Sequence, residues 1–219
     1  MVSPFNMPQY MVKYVRGVFM HGIVAVVTYN CNIMCSICSY GCGPHRKGMM
    51  SPECFRQKVT EAYSQGYDDY IEIAGGEPFL HTGVVYKYLK KVKNIKTKKR
   101  IVTNGFWGKL DYYMDILEAL KDSGISEVVL EYDIFHSVFI REETILDAIS
   151  KLHICGIEAR IRACFETSSL STPYDIKTLE IIKRIRKNQA WVSFECRTEE
   201  KYMGLYGSND EKYKKIILP

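Results

Sequence analysis

Six short β-type runs, separated by amphipathic segments that close on glycine or asparagine, constrain this chain more than any other feature of its sequence. The runs are GIVAVVTYN (22–30), YIEIAGG (70–76), KRIVTNG (99–105), EVVLEYD (127–133), IEARIRACF (157–165) and WVSFECR (191–197). Strands that alternate with helices fold as repeated βα units. Their crossovers are right-handed, so they build a curved parallel sheet wrapped by helices. Two α/β architectures meet that requirement: a partial (βα)6 TIM-type barrel and a doubly wound open sheet.

The intervening segments carry helix signals. Ser51, Pro52 and Glu53 supply an N-cap, a proline at the first helical position and an early carboxylate, and Gly66 closes that helix. Val85, Tyr88, Leu89 and Val92 form an i, i+3, i+4, i+7 stripe, as do Leu110, Tyr113, Met114 and Leu117 before Gly124. Ile145, Ile149 and Leu152 continue the pattern before Gly156, and Leu179, Ile182 and Ile185 mark a last, basic helix.

Strand polarity favours the barrel. One alternating face is apolar (Ile71, Ile73, Val128, Leu130, Ile157, Ala159, Ile161, Val192, Phe194) and suits a helix layer. The opposite face carries Glu72, Glu131, Asp133, Arg160, Arg162 and Glu195. Unpaired burial of such charges costs several kcal/mol, at roughly that order, so this face is either a network of ion pairs or a polar ligand cavity. A barrel with a polar lumen accommodates both.

With 219 residues, 47% of them hydrophobic, the chain can build one sizeable core. We expect an N-terminal extension at 1–21, one barrel domain at 22–198 and a short tail at 199–219. The N-terminus lacks the apolar core of a signal peptide, and no run approaches a membrane span, which predicts a cytoplasmic protein with no membrane partner. The net charge of +5 is densest in KYLKKVKNIKTKKR (Lys87 to Arg100). No aromatic platform is interleaved there, so it reads as a solvated helix face and exit loop rather than a nucleic-acid site.

Three of the eight cysteines crowd into CNIMCSIC, directly after the first strand. A structural zinc wants four ligands, and Cys42 or His45 would have to complete the set. A [4Fe–4S] cluster held by three thiolates instead leaves one iron open to a substrate or cofactor. Cys54, Cys155, Cys164 and Cys196 read as small buried hydrophobes, with Cys42 a further candidate ligand or reactive thiol.

Cys31-x3-Cys35-x2-Cys38, followed by Gly75-Gly76-Glu77-Pro78 after the second strand and by Thr103-Asn104-Gly105 after the third, resembles the radical SAM superfamily over roughly residues 20 to 200. The resemblance implies a partial (βα)6 barrel whose active site lies at the carboxyl ends of the strands. It also implies that Cys31, Cys35 and Cys38 bind a [4Fe–4S] cluster whose fourth iron chelates S-adenosylmethionine. Gly75, Gly76, Glu77 and Pro78 would receive the methionine amino group, with Asn104 among the cofactor-binding residues.

Ala159-x-Ile161-x-Ala163-x2-Glu166 is similar to the family's GxIxGxxE pattern with both glycines replaced, which offers Ile161 to the adenine. That sets Ile161 against its place on the helix-facing side, unless a bulge re-aims it. Arg160 or Arg162 would pair with the methionine carboxylate and Asp133 with the ribose. His136 of Asp133-x-Phe135-His136 is a candidate acid, base or hydrogen-bond donor towards substrate, or else a capped structural histidine. Ile37 replaces the aromatic residue usual before the last cysteine. No cysteine follows Cys196, which argues against an auxiliary-cluster domain. The resemblance further implies reductive cleavage of S-adenosylmethionine and removal of a hydrogen atom from a peptide, a small polar metabolite or a nucleotide. A flavodoxin or ferredoxin would be the reductant. A non-catalytic iron–sulfur or zinc module is the alternative of a different class.

Overall fold

The computed structural model describes residues 22–167, 169–198 and 213–216. All strands run parallel in one sheet: β1 (Gly22–Thr28), β2 (Tyr70–Gly75), β3 (Lys98–Thr103), β4 (Glu127–Glu131), β5 (Glu158–Phe165), β6 (Ser193–Thr198) and β7 (Tyr213–Ile216). Their order is β6-β5-β4-β3-β2-β1-β7. The sheet is therefore an open, partial barrel with β6 and β7 at its edges. The six expected strands are present. The tail expected at 199–219 also contributes a seventh strand, paired with β1 from Gly22↔Tyr213 to Ala25↔Ile216. The N-terminal extension lies outside the described residues.

Helices α1 (Pro52–Ser64), α2 (Thr82–Lys91), α3 (Tyr113–Asp122), α5 (Glu142–Ile154) and α6 (Pro173–Asn188) connect the strands, and a short α4 (Ile134–Ser137) follows β4. Ser51 caps α1 as expected, its hydroxyl accepting from the Cys54 N–H at 3.1 Å. Thr172 and Asp175 form a reciprocal capping box at the start of α6. The stripe beginning at Leu110 starts too early. Phe106–Lys109 winds as a 3-10 turn, Leu110 N–H closes it on Trp107 C=O, and α3 begins at Tyr113.

The two strand faces separate as their alternation predicts. Ile71, Ile73, Val128, Leu130, Ala159 and Ile161 join the main core beneath the helices. Val24, Tyr70, Ala74, Val102 and Val129 form a smaller inner cluster. The charges on that inner face resolve into ion pairs stacked along the lumen. At the amino end, Glu127 meets Arg160 and Lys98, and Arg100 lies 3.9 Å over the Tyr70 ring. One layer higher, Glu72 binds Arg100 at 2.6 Å and Arg162 at 2.6 Å, while Arg162 also faces Glu195 at 3.3 Å. Burial alone would raise the Glu72 carboxyl, yet the two arginines hold it down at about 2. Above that layer the lumen opens.

Candidate active site

The three motifs read from sequence meet at the carboxyl end of β1–β3. The cysteine loop is pinned at both ends to the strand it leaves. Cys31 N–H donates to Gly43 C=O (3.2 Å), Gly43 N–H to Tyr29 C=O (3.2 Å) and Met50 N–H to Val27 C=O (2.8 Å). Gly76 N–H donates to Thr28 C=O (2.7 Å) and Glu77 N–H to Asn30 C=O (2.8 Å). The two glycines are needed for that close approach. A Cβ on Gly76 would stand 2.0 Å from the Asn30 carbonyl oxygen, and Gly75 adopts φ +135 with the Thr28 carbonyl 2.4 Å from where its Cβ would be.

Glu77 is wholly buried and turned away from the cavity. Its carboxylate accepts from Phe79 N–H (3.0 Å), the Thr103 hydroxyl (2.8 Å) and Asn104 N–H (2.7 Å), tying the end of β2 to that of β3. Burial pushes its pKa up to about 7 against those three donors. Pro78 is likewise buried, at the first position of the following 3-10 turn. Asn104 completes the junction, its Nδ2 donating to Asn32 Oδ1 (2.8 Å) and lying 3.7 Å from Cys31 Sγ.

Two of the three sulfurs, Cys31 and Cys38, receive N–H donors. Ile33 N–H and Asn104 Nδ2 point at Cys31; Tyr40 and Cys42 N–H point at Cys38, the latter at 3.4 Å. Cys38 also accepts from the Cys35 and Cys42 thiols, which holds it well below the usual thiol range and raises both donors. Donors aimed at sulfur favour thiolate, the form in which cysteine binds iron. They lower Cys38, whereas burial still pushes the Cys31 thiol up to about 12. Three cysteines on one loop with donors at two of them are a set that fits a [4Fe–4S] cluster. Among the described residues, no three of His, Cys, Asp and Glu gather around one point as a single metal ion requires. A cubane, whose ligands sit on separate irons, needs no such convergence. Cys42 is buried beside Cys38, whereas His45 is exposed on the loop's outer side.

Two adjoining cavities open inward from the thiols. Cys35, Cys38, Gly75, Glu131 and His136 line both, joined by Ile37, Asp133, Arg162, Cys164 and Arg197 in one and by Cys31, Gly76 and Asn104 in the other. Arg162 stands at the wall with its fork committed to Glu72. Arg160 does not reach the site, because it sits two residues earlier on β5 and pairs with Glu127 at the amino end of β4. Ile161 does not reach it either. It is fully buried on the helix side, and no register shift interrupts the pairing of β5 with β4 or β6, so no bulge turns it inward.

Asp133 spends its carboxylate on the protein: it accepts from Phe135 N–H (2.9 Å), His136 N–H (3.1 Å) and Cys164 N–H (3.0 Å) and holds His136 Nδ1 at 2.8 Å. Burial would lower the His136 pKa, but the charge and hydrogen bond of Asp133 raise it to about 9. The site therefore presents an imidazolium beside the thiols. Sequence reasoning missed Glu131, Cys164, Arg197 and Asn32 as site residues. Only Glu131 carried a signal, its place two residues before Asp133 on the charged face.

The Radical SAM superfamily profile matches residues 25–218. The chain belongs to the radical SAM superfamily. The cofactors of that superfamily are a [4Fe–4S] cluster and S-adenosylmethionine, in agreement with the sulfur-directed donors. Among solved structures, this radical SAM chain is similar to Streptococcus suis SuiB bound to S-adenosylmethionine (15% identity, TM-score 0.57), covering 91% of this chain and 47% of that one. It is also similar to a radical SAM methyltransferase from Sphaerobacter thermophilus (11%, TM-score 0.51; 81% and 65% covered). A third is the radical S-adenosylmethionine methyltransferase TsrM of Kitasatospora setae with cobalamin and [4Fe–4S] cluster bound (12%, TM-score 0.51; 80% and 36% covered). At these identities the likeness is one of fold, and the chain spans about half the length of SuiB. No curated protein matches it. No helix among the described residues is long and apolar enough to cross a membrane.

Proposed function

We propose that this chain abstracts a hydrogen atom from a C–H bond of a peptide, using S-adenosylmethionine and a cluster held by Cys31, Cys35 and Cys38. The observation that carries the reading is the junction of thiols, GGEP and TNG at the mouth of a charged lumen. When bound, the two cofactors supply one-electron cleavage of the sulfonium and removal of hydrogen from an unactivated carbon. The protein's own work is placement. The Gly75–Gly76 backbone, held against Thr28 and Asn30 and lining the cavity, is the candidate to receive the methionine amino group. Arg162 is the candidate for the methionine carboxylate, as one more acceptor for a guanidinium already shared among acids. Glu131 faces the same cavity and is a better hydroxyl acceptor for a sugar than the fully engaged Asp133. Asp133 instead orients His136, whose Nε2–H is available to donate towards substrate.

The peptide reading is supported by an open groove of about 500 Å³ on the same rim, lined by Met34, Phe135, Val138, Phe139 and Tyr174. Val138 is 72% and Met34 60% exposed, and Phe135 stacks on Tyr174 at 5.6 Å. Apolar surface of this kind beside a cavity suits an extended partner. A small polar metabolite or nucleotide is the second reading, favoured by the charged inner wall of Glu131, Glu195 and Arg197. Anaerobic reconstitution followed by dithionite tests the activity. Formation of 5′-deoxyadenosine is expected; iron uptake without cleavage of S-adenosylmethionine would mark a non-catalytic module.

A further inference from the structure

The loop that carries CNIMCSIC holds a fourth thiol, Cys42, to which the proposed function gives no task. The fold brings it back to the start of the loop. Cys31 N–H donates to Gly43 C=O (3.2 Å) and Gly43 N–H to Tyr29 C=O (3.2 Å), so the residue after Cys42 is bound to the backbone of the first cysteine. Gly41, at φ +56, makes the turn before it, its N–H donating to Cys38 C=O (3.1 Å). Cys42 is 7% exposed, its N–H lies 3.4 Å from Cys38 Sγ, and its thiol donates to the same sulfur. Of the five cysteines outside the triplet, it is the one that lines the cavity shared by Cys31, Cys35 and Cys38, together with Gly75 and Gly76. Cys54 lies on α1, Cys155 at the end of α5, Cys164 on β5 and Cys196 on β6.

The open iron of a three-cysteine cluster takes some other ligand whenever S-adenosylmethionine is absent. Cys42, Glu131 and His136 are the ionisable groups that line this cavity beside the triplet. His136 is held by Asp133 at 2.8 Å, and Glu131 faces the Arg162 guanidinium at 3.6 Å. Thiolate is also the softest donor of the three and the usual ligand of iron–sulfur clusters. Cys42 further lines the open concavity of about 500 Å³ on the outer side of the loop. Its side chain therefore has space on the solvent side once it leaves the cavity side.

We propose that Cys42 is an exchangeable fourth ligand, which holds the open iron while S-adenosylmethionine is absent and yields it when the cofactor arrives. The inference rests on the proposed function, from which it takes the cluster and its three ligands. No electron moves in the exchange. The bond from iron to Cys42 Sγ breaks, and bonds from iron to the amino nitrogen and a carboxylate oxygen of S-adenosylmethionine form. The amino group gives up a proton to bind and the released thiolate takes one, so protons balance. S-Adenosylmethionine thus binds against an internal competitor, and its apparent affinity is reduced by the fraction of chains in which the iron is free.

The test compares the anaerobically reconstituted parent with Cys42→Ala and with Cys54→Ala, which removes a thiol from α1, outside the cavity. Electron paramagnetic resonance of the dithionite-reduced cluster is recorded with and without S-adenosylmethionine. Binding of S-adenosylmethionine is measured on the unreduced protein, where it is not cleaved. Iron content is expected to be equal in all three. Without S-adenosylmethionine the g-values of Cys42→Ala should differ from the parent's, and at saturation the two spectra should coincide. Cys42→Ala should bind S-adenosylmethionine at least about threefold more tightly, the factor that follows if Cys42 holds the parent's iron about two-thirds of the time. Cys54→Ala should match the parent throughout. Identical spectra without S-adenosylmethionine, or an affinity unchanged or weaker, would overturn the proposal. Should Cys42→Ala lose iron, Cys42→Ser, which keeps a donor towards Cys38, carries the same expectation of tighter binding. Loss of iron in both would make Cys42 a permanent ligand and overturn the exchange. A cluster that binds S-adenosylmethionine in none of these proteins, or zinc in place of iron, would sink the proposed function instead.

Discussion

Arg162 is 4% exposed and faces Glu72, Glu131 and Glu195. Removing one partner from such a group strands the others in low dielectric, so Arg162→Met should destabilise the fold by about 3–5 kcal/mol in denaturant unfolding. A surface control, Arg184→Met, breaks only its exposed pair with Glu142 and should cost under about 1 kcal/mol. His136 makes a pH prediction. Its folded pKa of about 9 lies above the ordinary 6.5, so the folded chain holds the proton more tightly. The stability this contributes is complete below pH 6.5 and lost as pH rises through 9. Denaturation midpoints should fall over that window, and the His136→Gln variant should lack that part of the fall. Parallel pH profiles for the two proteins would contradict the assignment. At this scale the sequence was partly legible. Alternation separated Arg162 and Glu72 from Ile161, but it could not tell that Arg160, on the same face two residues away, sits a layer too low to reach the cavity. Nor could GGEP reveal that Glu77 turns inward to Thr103 and Asn104, because two of its three donors come from a distant part of the chain.

Among elements, the junction of β1 and β2 bears most on the site. The pairing shifts register between Val26 and Thr28, and beyond it the Gly76 and Glu77 amides reach across to the cysteine loop. Gly76→Ala would put a methyl against the Asn30 carbonyl, a backbone atom that cannot move without dragging Cys31 with it. We expect it to destabilise the protein by about 1–3 kcal/mol and to lower iron per chain after reconstitution. Gly66→Ala, at the open end of α1, should cost stability through its φ of +89 yet leave iron loading intact. Strands and helices were largely legible because their periodicities differ and glycines punctuate them. The start of α3 was not. Leu110 continues an apolar stripe, yet the turn at Phe106–Lys109 packs so closely on α5 that a Cβ on Gly108 would fall 1.9 Å from the Thr144 carbonyl. That constraint comes from tertiary packing and leaves no local mark.

At the scale of the whole molecule, the seventh strand ties the end of the chain to the strand that delivers the cysteines. YKKI carries more lysine than a buried strand usually does, and its partner lies nearly two hundred residues away by sequence, so it was not legible as a strand. Ending the chain after Thr198 would expose the backbone edge of β1 directly below the cluster loop. That variant should self-associate on size exclusion and take up less iron; a monomer with full iron content would show that β7 does not support the site. The barrel class itself was legible, through charged alternation inside and apolar alternation outside. The central claim is that three thiolates hold a cluster and leave one iron for S-adenosylmethionine. Its most direct test is the low-temperature electron paramagnetic resonance spectrum of the dithionite-reduced protein with and without S-adenosylmethionine. A [4Fe–4S]+ signal whose g-values change when S-adenosylmethionine is added is the predicted result. A spectrum indifferent to it, or no cluster signal in a protein that binds zinc, would contradict the account.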